Sequence, residues 1–244
     1  AARAALPSIA LGNFSWDWVY AHLAPREPAL ALAAERCRES YGRAERLLRL
    51  PFRCDASAFR EVVDLPLVAR RPAVSRAEAR RRLALDDRPL LLVSFGGVGL
   101  PGLQASAFAP LRDYQVVFTG VGASGPAPPH LRKLADAEVK ARGLGYPDLV
   151  GAADVVLTKP GYGIVTDCIG AGVRLVYTDR GDFPEYPVMV AEMPRYLPAV
   201  FASNDDVRGG RLAPALQEVM AMPFPPPPRT DGAAEAAVRL LARL

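Results

Sequence analysis

The chain has 244 residues, of which 50% are hydrophobic and 23% are charged, so it can bury one large core or two modest ones. No apolar run approaches the ~20 residues that a membrane-spanning helix needs, and no secretory signal is recognisable, so we expect a cytoplasmic protein without a transmembrane segment. The net charge of +4 comes mainly from arginine. The stretch richest in arginine, residues 69–83, has its charged residues at helical spacing and contains no aromatic residues. This pattern favours a solvent-exposed helix face over a nucleic-acid-binding surface.

Residues 1–72 are predicted to contain one and a half α/β units. The stretch LPSIALGNFSWDWVYAHL predicts a strand, a turn and the start of a helix, and PALALAAERCRESYGRAERLLRL has apolar residues at helical spacing. The stretch FREVVDLPLVARRP closes the segment with a proline-bounded strand. This is too little for a two-sided sheet, so we expect the remnant of a larger domain. The open strand edge of such a remnant would favour self-association.

Residues 75–224 alternate between short apolar runs and helical segments. Strands are predicted in RPLLLVSFGG, DYQVVFTG, AEVKA, ADVVLT and VRLVYTD. Helices or single turns are predicted in LQASAFAPLR, PPHLRKLAD, YPDLVGA and GIVTDCIGAG. Runs without strict alternation indicate strands covered on both faces, so the pattern predicts a doubly wound parallel sheet of the α/β class. Ligands of such sheets bind beyond the carboxyl ends of the strands.

The last segment, residues 225–244, is predicted to be a proline-rich connector followed by a helix. Four prolines make a stiff link, and Thr230 or Asp231 can cap the helix. Its apolar stripe is predicted to pack on residues 1–72 and consists of Ala234, Val238, Leu241 and Leu244.

The turn TKPGYGIVTD is the strongest candidate for a binding site. Pro160 stops the strand, while Gly161 and Gly163 let a ligand approach the backbone closely. The first turn of the following helix offers free N–H groups to an anion, and Lys159 adds a positive charge. One turn further on, Asp167 can project a carboxylate towards vicinal hydroxyls such as those of a ribose. The turn therefore fits a diphosphate, although a ligand-free turn between strand and helix fits the same spacing.

A second glycine-rich stretch, SFGGVGLPG, follows the first predicted strand of residues 75–224. It contains a formal GxGxxG, but a dinucleotide site would need an acidic residue at the end of the next strand, which ends in Thr119 and Gly120. Pro101 also stands where the helix of that motif begins. We therefore interpret Gly96 and Gly97 as a glycine-rich cleft wall beside a substrate rather than as a nicotinamide site.

Cysteine and histidine give little support to other chemistry. Three widely spaced cysteines indicate free thiols in a reducing compartment, and no spacing of His or Cys supports a metal site. His22 is expected in a helix and His130 at the surface, each without a catalytic role. We predict no cofactor and no metal.

Several stretches together resemble a known family. NFSWDWVY, LLRLPFRCDASAFREVVDLPLVAR, SFGG and AADVVLTKPGYGIVTDCIGAGVRLVYTDRGDFPEYP resemble nucleotide-sugar glycosyltransferases of the two-domain GT-B type. They are most similar to the glycosyltransferase-like region of plant-type L-arabinokinases. The kinase chemistry of that family lies in a separate domain, whose phosphate loop is not in this sequence. A more distant resemblance is to the N-acetylglucosaminyltransferase of peptidoglycan synthesis.

The resemblance implies a donor site on residues 75–224, with residues 1–72 as part of the acceptor-side domain and the last helix crossing back to it. By position, Asp167 would hold the ribose, where the peptidoglycan enzyme has a glutamate. Phe183 and Glu185 would approach the donor sugar. Gly161, Tyr162 and Gly163 would face the diphosphate, with Thr166 nearby. Together with the residues singled out from the pattern itself, the set predicted for donor binding is Gly96, Gly97, Lys159, Pro160, Gly161, Tyr162, Gly163, Thr166, Asp167, Phe183 and Glu185.

Two functions from different classes follow from these residues. The leading hypothesis is a glycosyltransferase, or its donor-binding part, that uses a nucleotide-diphosphate sugar, most simply a UDP-sugar, to transfer a hexosyl or N-acetylhexosaminyl group to an unknown acceptor. Lys159 and the helix N-terminus would then stabilise the departing diphosphate without a metal. The alternative is a module that binds or senses a nucleotide sugar without catalysis.

Overall fold

The computed structural model describes residues 7–120 and 122–242 and divides the chain into two units. The first unit consists of Ala1–Ala69, Asp182–Glu192 and Pro228–Leu244. The second unit consists of Arg70–Gly181 and Met193–Pro227. The chain thus passes from one unit to the other four times.

The described residues form both α-helices and β-strands in each unit. The strands are β1 (Ile9–Gly12), β2 (Arg46–Arg49), β3 (Val62–Asp64), β4 (Leu90–Ser94), β5 (Gln115–Thr119), β6 (Leu131–Lys133), β7 (Val155–Thr158), β8 (Arg174–Tyr177) and β9 (Ala199–Phe201). The α-helices are α1 (Trp16–Leu23), α2 (Ala29–Tyr41), α3 (Arg76–Leu83), α4 (Asp136–Ala141), α5 (Tyr146–Ala152), α6 (Tyr162–Ala171), α7 (Glu185–Glu192), α8 (Asn204–Arg208), α9 (Ala213–Ala221) and α10 (Gly232–Leu241).

A six-stranded sheet with the order β6-β5-β4-β7-β8-β9 forms the centre of the second unit. Every neighbouring pair of these strands is parallel. The chain builds outward from β4 through β5 to β6, returns to β7 on the other side of β4, and continues outward to β9. The direction of winding therefore reverses between β4 and β7. The crevice beyond the carboxyl ends of such a pair is where open α/β sheets bind ligands.

The central strands of this sheet are buried as a parallel sheet requires. Every residue of β4, β5 and β7 is buried, as expected for strands that helices cover on both faces. Phe108 and Phe118 pack edge to face in this core, with ring centroids 4.9 Å apart. The predicted α/β class and parallel sheet are confirmed.

Two predicted elements in the second unit are wrong. The stretch AEVKA lies in α4, and the third strand is β6, which falls within the predicted helix PPHLRKLAD. The two prolines before His130 break a helix, and the carbonyl of that histidine instead accepts the backbone N–H of Val116 beside it. His130 is also buried, not at the surface, and its Nε2 lies 2.8 Å from the carbonyl oxygen of Phe108. A sixth strand, β9, was not predicted.

The first unit contains a three-stranded parallel sheet with the order β1-β2-β3. Helix α2 ends at Tyr41, and Arg46–Arg49 forms a strand, so the helical prediction for the end of that stretch is wrong. Gly42 is the C-cap of the helix, and the two leucines of β2 are buried in the sheet, where strand pairing decides their conformation.

Helix α10 packs within the first unit through its start, not along the predicted stripe. Val68 and Asp231 form an antiparallel bridge, and the backbone N–H of Gly232 donates to the carbonyl of Leu67 at 3.0 Å. Gly232 and Ala236 are the buried residues of the helix. The predicted stripe is wrong, because Val238 and Leu241 are each 66% exposed; Leu244 lies outside the described residues.

Candidate functional site

The turn between β7 and α6 presents backbone to open space. Gly161 is the N-cap of α6 and has no side chain to bond the first-turn N–H groups. Gly163 is exposed, and an added Cβ would meet no atom within 4 Å. The first turn of α6 is therefore accessible, with amide donors of the kind that bind phosphate.

Two cationic side chains accompany this turn. Lys159 follows β7 directly and is half-buried. The Nη1 group of Arg180 donates to the carbonyl of Pro160 at 2.9 Å and lies 3.6 Å from where a Cβ of Gly161 would be. Arg180 was not predicted from the sequence, because it lies 19 residues beyond Gly161 and reaches the turn only through the pairing of β7 with β8.

A second glycine surface follows β4, the neighbour of β7. Gly96 has a φ of +67°, a conformation that L side chains rarely adopt. Added Cβ atoms on Gly96 or Gly97 would meet nothing within 4 Å. Since Val93 pairs with Leu157, the chain leaves both strands at the same sheet edge. The structure thus brings the two predicted glycine stretches together on either side of the winding reversal.

Two polar side chains of the predicted set face inward. Thr166 is 2% exposed, and its hydroxyl donates to the carbonyl of Gly163 at 3.1 Å. Asp167 is also 2% exposed, and its carboxylate is held by the guanidinium of Arg70. That pairing raises the pKa of Arg70, which therefore stays protonated. Contact of Asp167 with a ribose stays a prediction, and its carboxylate is shared with Arg70 in this structure.

A chain of polar contacts connects Arg70 to the carboxyl ends of β4 and β5. The guanidinium carbon lies 5.8 Å from the centre of the Tyr146 ring. The phenol oxygen of Tyr146 lies 2.7 Å from Oγ of Ser94, which accepts a hydrogen bond from Thr119. Burial raises the pKa of Tyr146 to about 12, so this phenol is neutral at ordinary pH. Arg70 and Tyr146 were not predicted from the sequence, since neither lies in one of the two glycine-rich turns.

Phe183 and Glu185 belong to the first unit. The ring of Phe183 packs edge to face on Phe14 with centroids 5.9 Å apart. Glu185, 2% exposed, accepts a hydrogen bond from Nδ2 of Asn13 at 2.7 Å. Just before them, Oδ1 of Asp182 lies 2.9 Å from Nε2 of His22. The sequence stretch NFSWDWVY contributes Asn13 and Phe14 to these contacts, a role that local spacing did not indicate.

The remaining sequence predictions concern metal ligands, membrane spans and thiols. Among them, no group of His, Cys, Asp and Glu has the arrangement of a metal site. Within residues 7–120 and 122–242, no helix is long and apolar enough to cross a membrane. Cys54 and Cys168 are buried free thiols, as predicted, whereas Cys37 is half-buried.

The fold is that of GT-B glycosyltransferases. UGT89C1 of Arabidopsis thaliana superposes with a TM-score of 0.59 at 16% identity, over 92% of this chain and 60% of that one. The calicheamicin glycosyltransferase CalG4 gives 0.56 at 18%, over 91% and 61%. The glycosyltransferase VinC, solved in complex with dTDP, gives 0.55 at 19%, over 90% and 59%. A further structure of UGT89C1 is a complex with UDP.

In sequence, the chain is similar to L-arabinokinase of Arabidopsis thaliana, with 31% identity over 230 residues. The match covers 91% of this chain and 21% of the relative, so the chain spans about a fifth of its length. No family model matches the chain. The resemblance to GT-B glycosyltransferases and to the L-arabinokinases is confirmed.

Proposed function

We propose that the second unit binds the nucleotide of a nucleotide-diphosphate sugar and that the chain is a glycosyltransferase or its donor-binding part. One observation carries the proposal: two glycine surfaces open to ligand follow β4 and β7, the strands that flank the winding reversal. In a GT-B fold this is a place for a diphosphate, with the exposed amides of α6 as donors.

The charges around the turn support the same ligand. Lys159 and Arg180 add positive charge beside the helix N-terminus, which stabilises a bound diphosphate and would stabilise it further as the leaving group of sugar transfer. We propose UDP as the nucleotide, because glycosyltransferases of similar structure have been solved in complex with UDP and with dTDP. For Phe183 and Glu185, the resemblance alone supports assignment to the donor sugar.

Calorimetry with UDP and with a nicotinamide dinucleotide tests the proposal. We expect UDP to bind and to bind more tightly, because a GxGxxG site would need an acid where Thr119 stands. Preference for the dinucleotide, or no binding of UDP, would refute it. Release of UDP from UDP-sugars in the presence of candidate acceptors then separates a transferase from a binding module, which would bind UDP-sugars without turnover.

A further inference from the structure

The guanidinium of Arg70 and the carboxylate of Asp167 form a two-pronged ion pair within the second unit. The Nε–Oδ1 distance is 3.0 Å and the Nη2–Oδ2 distance is 2.5 Å. The side chain of Asp167 is 2% exposed, whereas that of Arg70 is 61% exposed. The arginine is therefore the member of the pair that a ligand can reach.

The exposed guanidinium has a fixed orientation. Asp167 holds one edge of its plane, and the ring of Tyr146 lies beneath it. Tyr146 is in turn bonded to Ser94, the last residue of β4, while Asp167 lies on α6, the helix that follows β7. Arg70 is thus held directly by α6 and is connected through Tyr146 to the carboxyl end of β4, next to the proposed nucleotide site.

The chemistry of the pair selects its ligand atoms. A guanidinium has five N–H donors, of which Asp167 takes one from Nε and one from Nη2, leaving three. Because Asp167 neutralises the charge, the pair as a whole attracts a phosphate weakly, but its oriented donors suit neutral oxygens such as hydroxyls.

We propose that Arg70 donates hydrogen bonds to the ribose hydroxyls of the donor nucleoside and that Asp167 is a positioning residue that orients Arg70. This inference rests on the proposed function, because it requires a ribonucleotide at the carboxyl edge of the second unit's sheet. It transfers the ribose contact from the carboxylate, where the resemblance implies it, to the arginine that covers it.

The substitution Arg70→Ala separates the two arrangements, since they give opposite results. If Arg70 contacts the ribose, its removal weakens UDP binding by about tenfold or more, the scale of a lost hydrogen bond to a charged group. If Asp167 contacts the ribose directly, removal of Arg70 frees the carboxylate, and the affinity stays equal or rises. The measurement is calorimetry with UDP on the full chain.

Comparison of UDP with 2′-deoxy-UDP shows whether the lost contact is to the ribose. We expect the unaltered protein to favour UDP and Arg70→Ala to bring the ratio of the two affinities close to one. An unchanged ratio would overturn the inference. A purely structural role for Arg70 would weaken both nucleotides equally and leave the ratio as it was.

Two further variants keep the test interpretable. Arg70→Gln retains a donor for the buried carboxylate, so the protein is expected to fold even if Arg70→Ala does not, and it should show the same loss of ribose preference. Arg88→Ala breaks an exposed pair with Asp86 before the amino end of β4 and should leave both affinities unchanged. If unaltered protein binds no UDP, the proposed function itself fails; if UDP binds but neither Arg70 variant changes the ratio, only this inference fails.

Discussion

The amide of Asn13 donates a hydrogen bond to Oε1 of Glu185 at 2.7 Å, although 172 positions separate the two residues in the chain. Both side chains are buried, at 6% and 2% exposure. The same segment is bonded at its start by His22 to Asp182 and at its end by the backbone N–H of Phe52 to Glu192. Residues 182–192 are thus hydrogen-bonded to the rest of the first unit at Asp182, Glu185 and Glu192.

We expect Asn13→Asp to destabilise the first unit. Two carboxylates at hydrogen-bond distance in a buried site cannot both be ionised, so the free energy of unfolding should fall by roughly 2–4 kcal/mol at neutral pH. Urea denaturation measures this loss of unfolding free energy. The loss should become smaller as the pH falls, because protonation of one of the two carboxyl groups restores a hydrogen-bond donor between positions 13 and 185.

The paired change Asn13→Asp with Glu185→Gln is the matched control. The new amide at position 185 can donate to the new carboxylate at position 13, so most of the lost stability should return. Equal losses in the single and double variants would show that the hydrogen bond does not hold the segment.

Gly163→Leu should block the proposed nucleotide site without disturbing the fold. An added side chain meets no protein atom within 4 Å of its Cβ position and points into open space at the first turn of α6. We expect the affinity for UDP to fall by about tenfold or more, since a nucleotide would lose its close approach to the backbone. Thermal unfolding of the variant checks the fold, and undiminished UDP binding would place the diphosphate elsewhere.

Two glycine-to-alanine changes in helices should have opposite effects on stability. At Gly232 a new Cβ would lie 2.2 Å from the carbonyl oxygen of Pro66, so α10 would have to move, and we expect a loss of roughly 1–3 kcal/mol. At Gly163 the space is open, so alanine should be neutral or stabilise the helix by up to ~1 kcal/mol. Urea denaturation of both variants compares them directly; similar losses would contradict the contact described at Gly232.

Tyr146 should make stability fall at alkaline pH. Burial raises its pKa from 10.0 to about 12, so the folded state keeps a proton that the unfolded state releases. The stabilisation is full below pH 10 and is lost as the pH rises towards about 12, by roughly 1–3 kcal/mol. Tyr146→Phe should have a flatter stability curve over this range. In a pH titration followed by phenolate absorbance, Tyr146→Phe should lack the tyrosine that ionises at the highest pH. If the variant instead lacks a tyrosine that ionises near the ordinary pKa, the buried environment of Tyr146 would be contradicted.

The elements predicted best were those whose local pattern and tertiary role agree. Strands β4, β5 and β7 lie in apolar runs that the sheet buries, so their local pattern and their place in the fold agree. The short strand β6 was not predicted, because three residues are too few to show an alternation of apolar and polar side chains. Pairing with β5 makes these residues a strand, and that pairing depends on the tertiary structure.

In the candidate site, too, the local features were predicted and the long-range contacts were not. Glycine turns are visible in sequence because they need particular residues at particular positions, and both lie at the sheet edge where the pattern placed them. The partners of Asp167 and Glu185 were not visible, because Arg70 and Asn13 are 97 and 172 positions away. Nothing in local spacing marks such partners before the chain has folded.

The four passages between units also determine the order in which the protein can mature on the ribosome. Residues 7–69 precede the second unit in the chain, but the unit they belong to needs residues 182–192 and 228–242 as well. The second unit, in contrast, has all its segments once residue 227 has emerged. Residues 7–69 therefore acquire their last native neighbours only after the whole second unit has been synthesised.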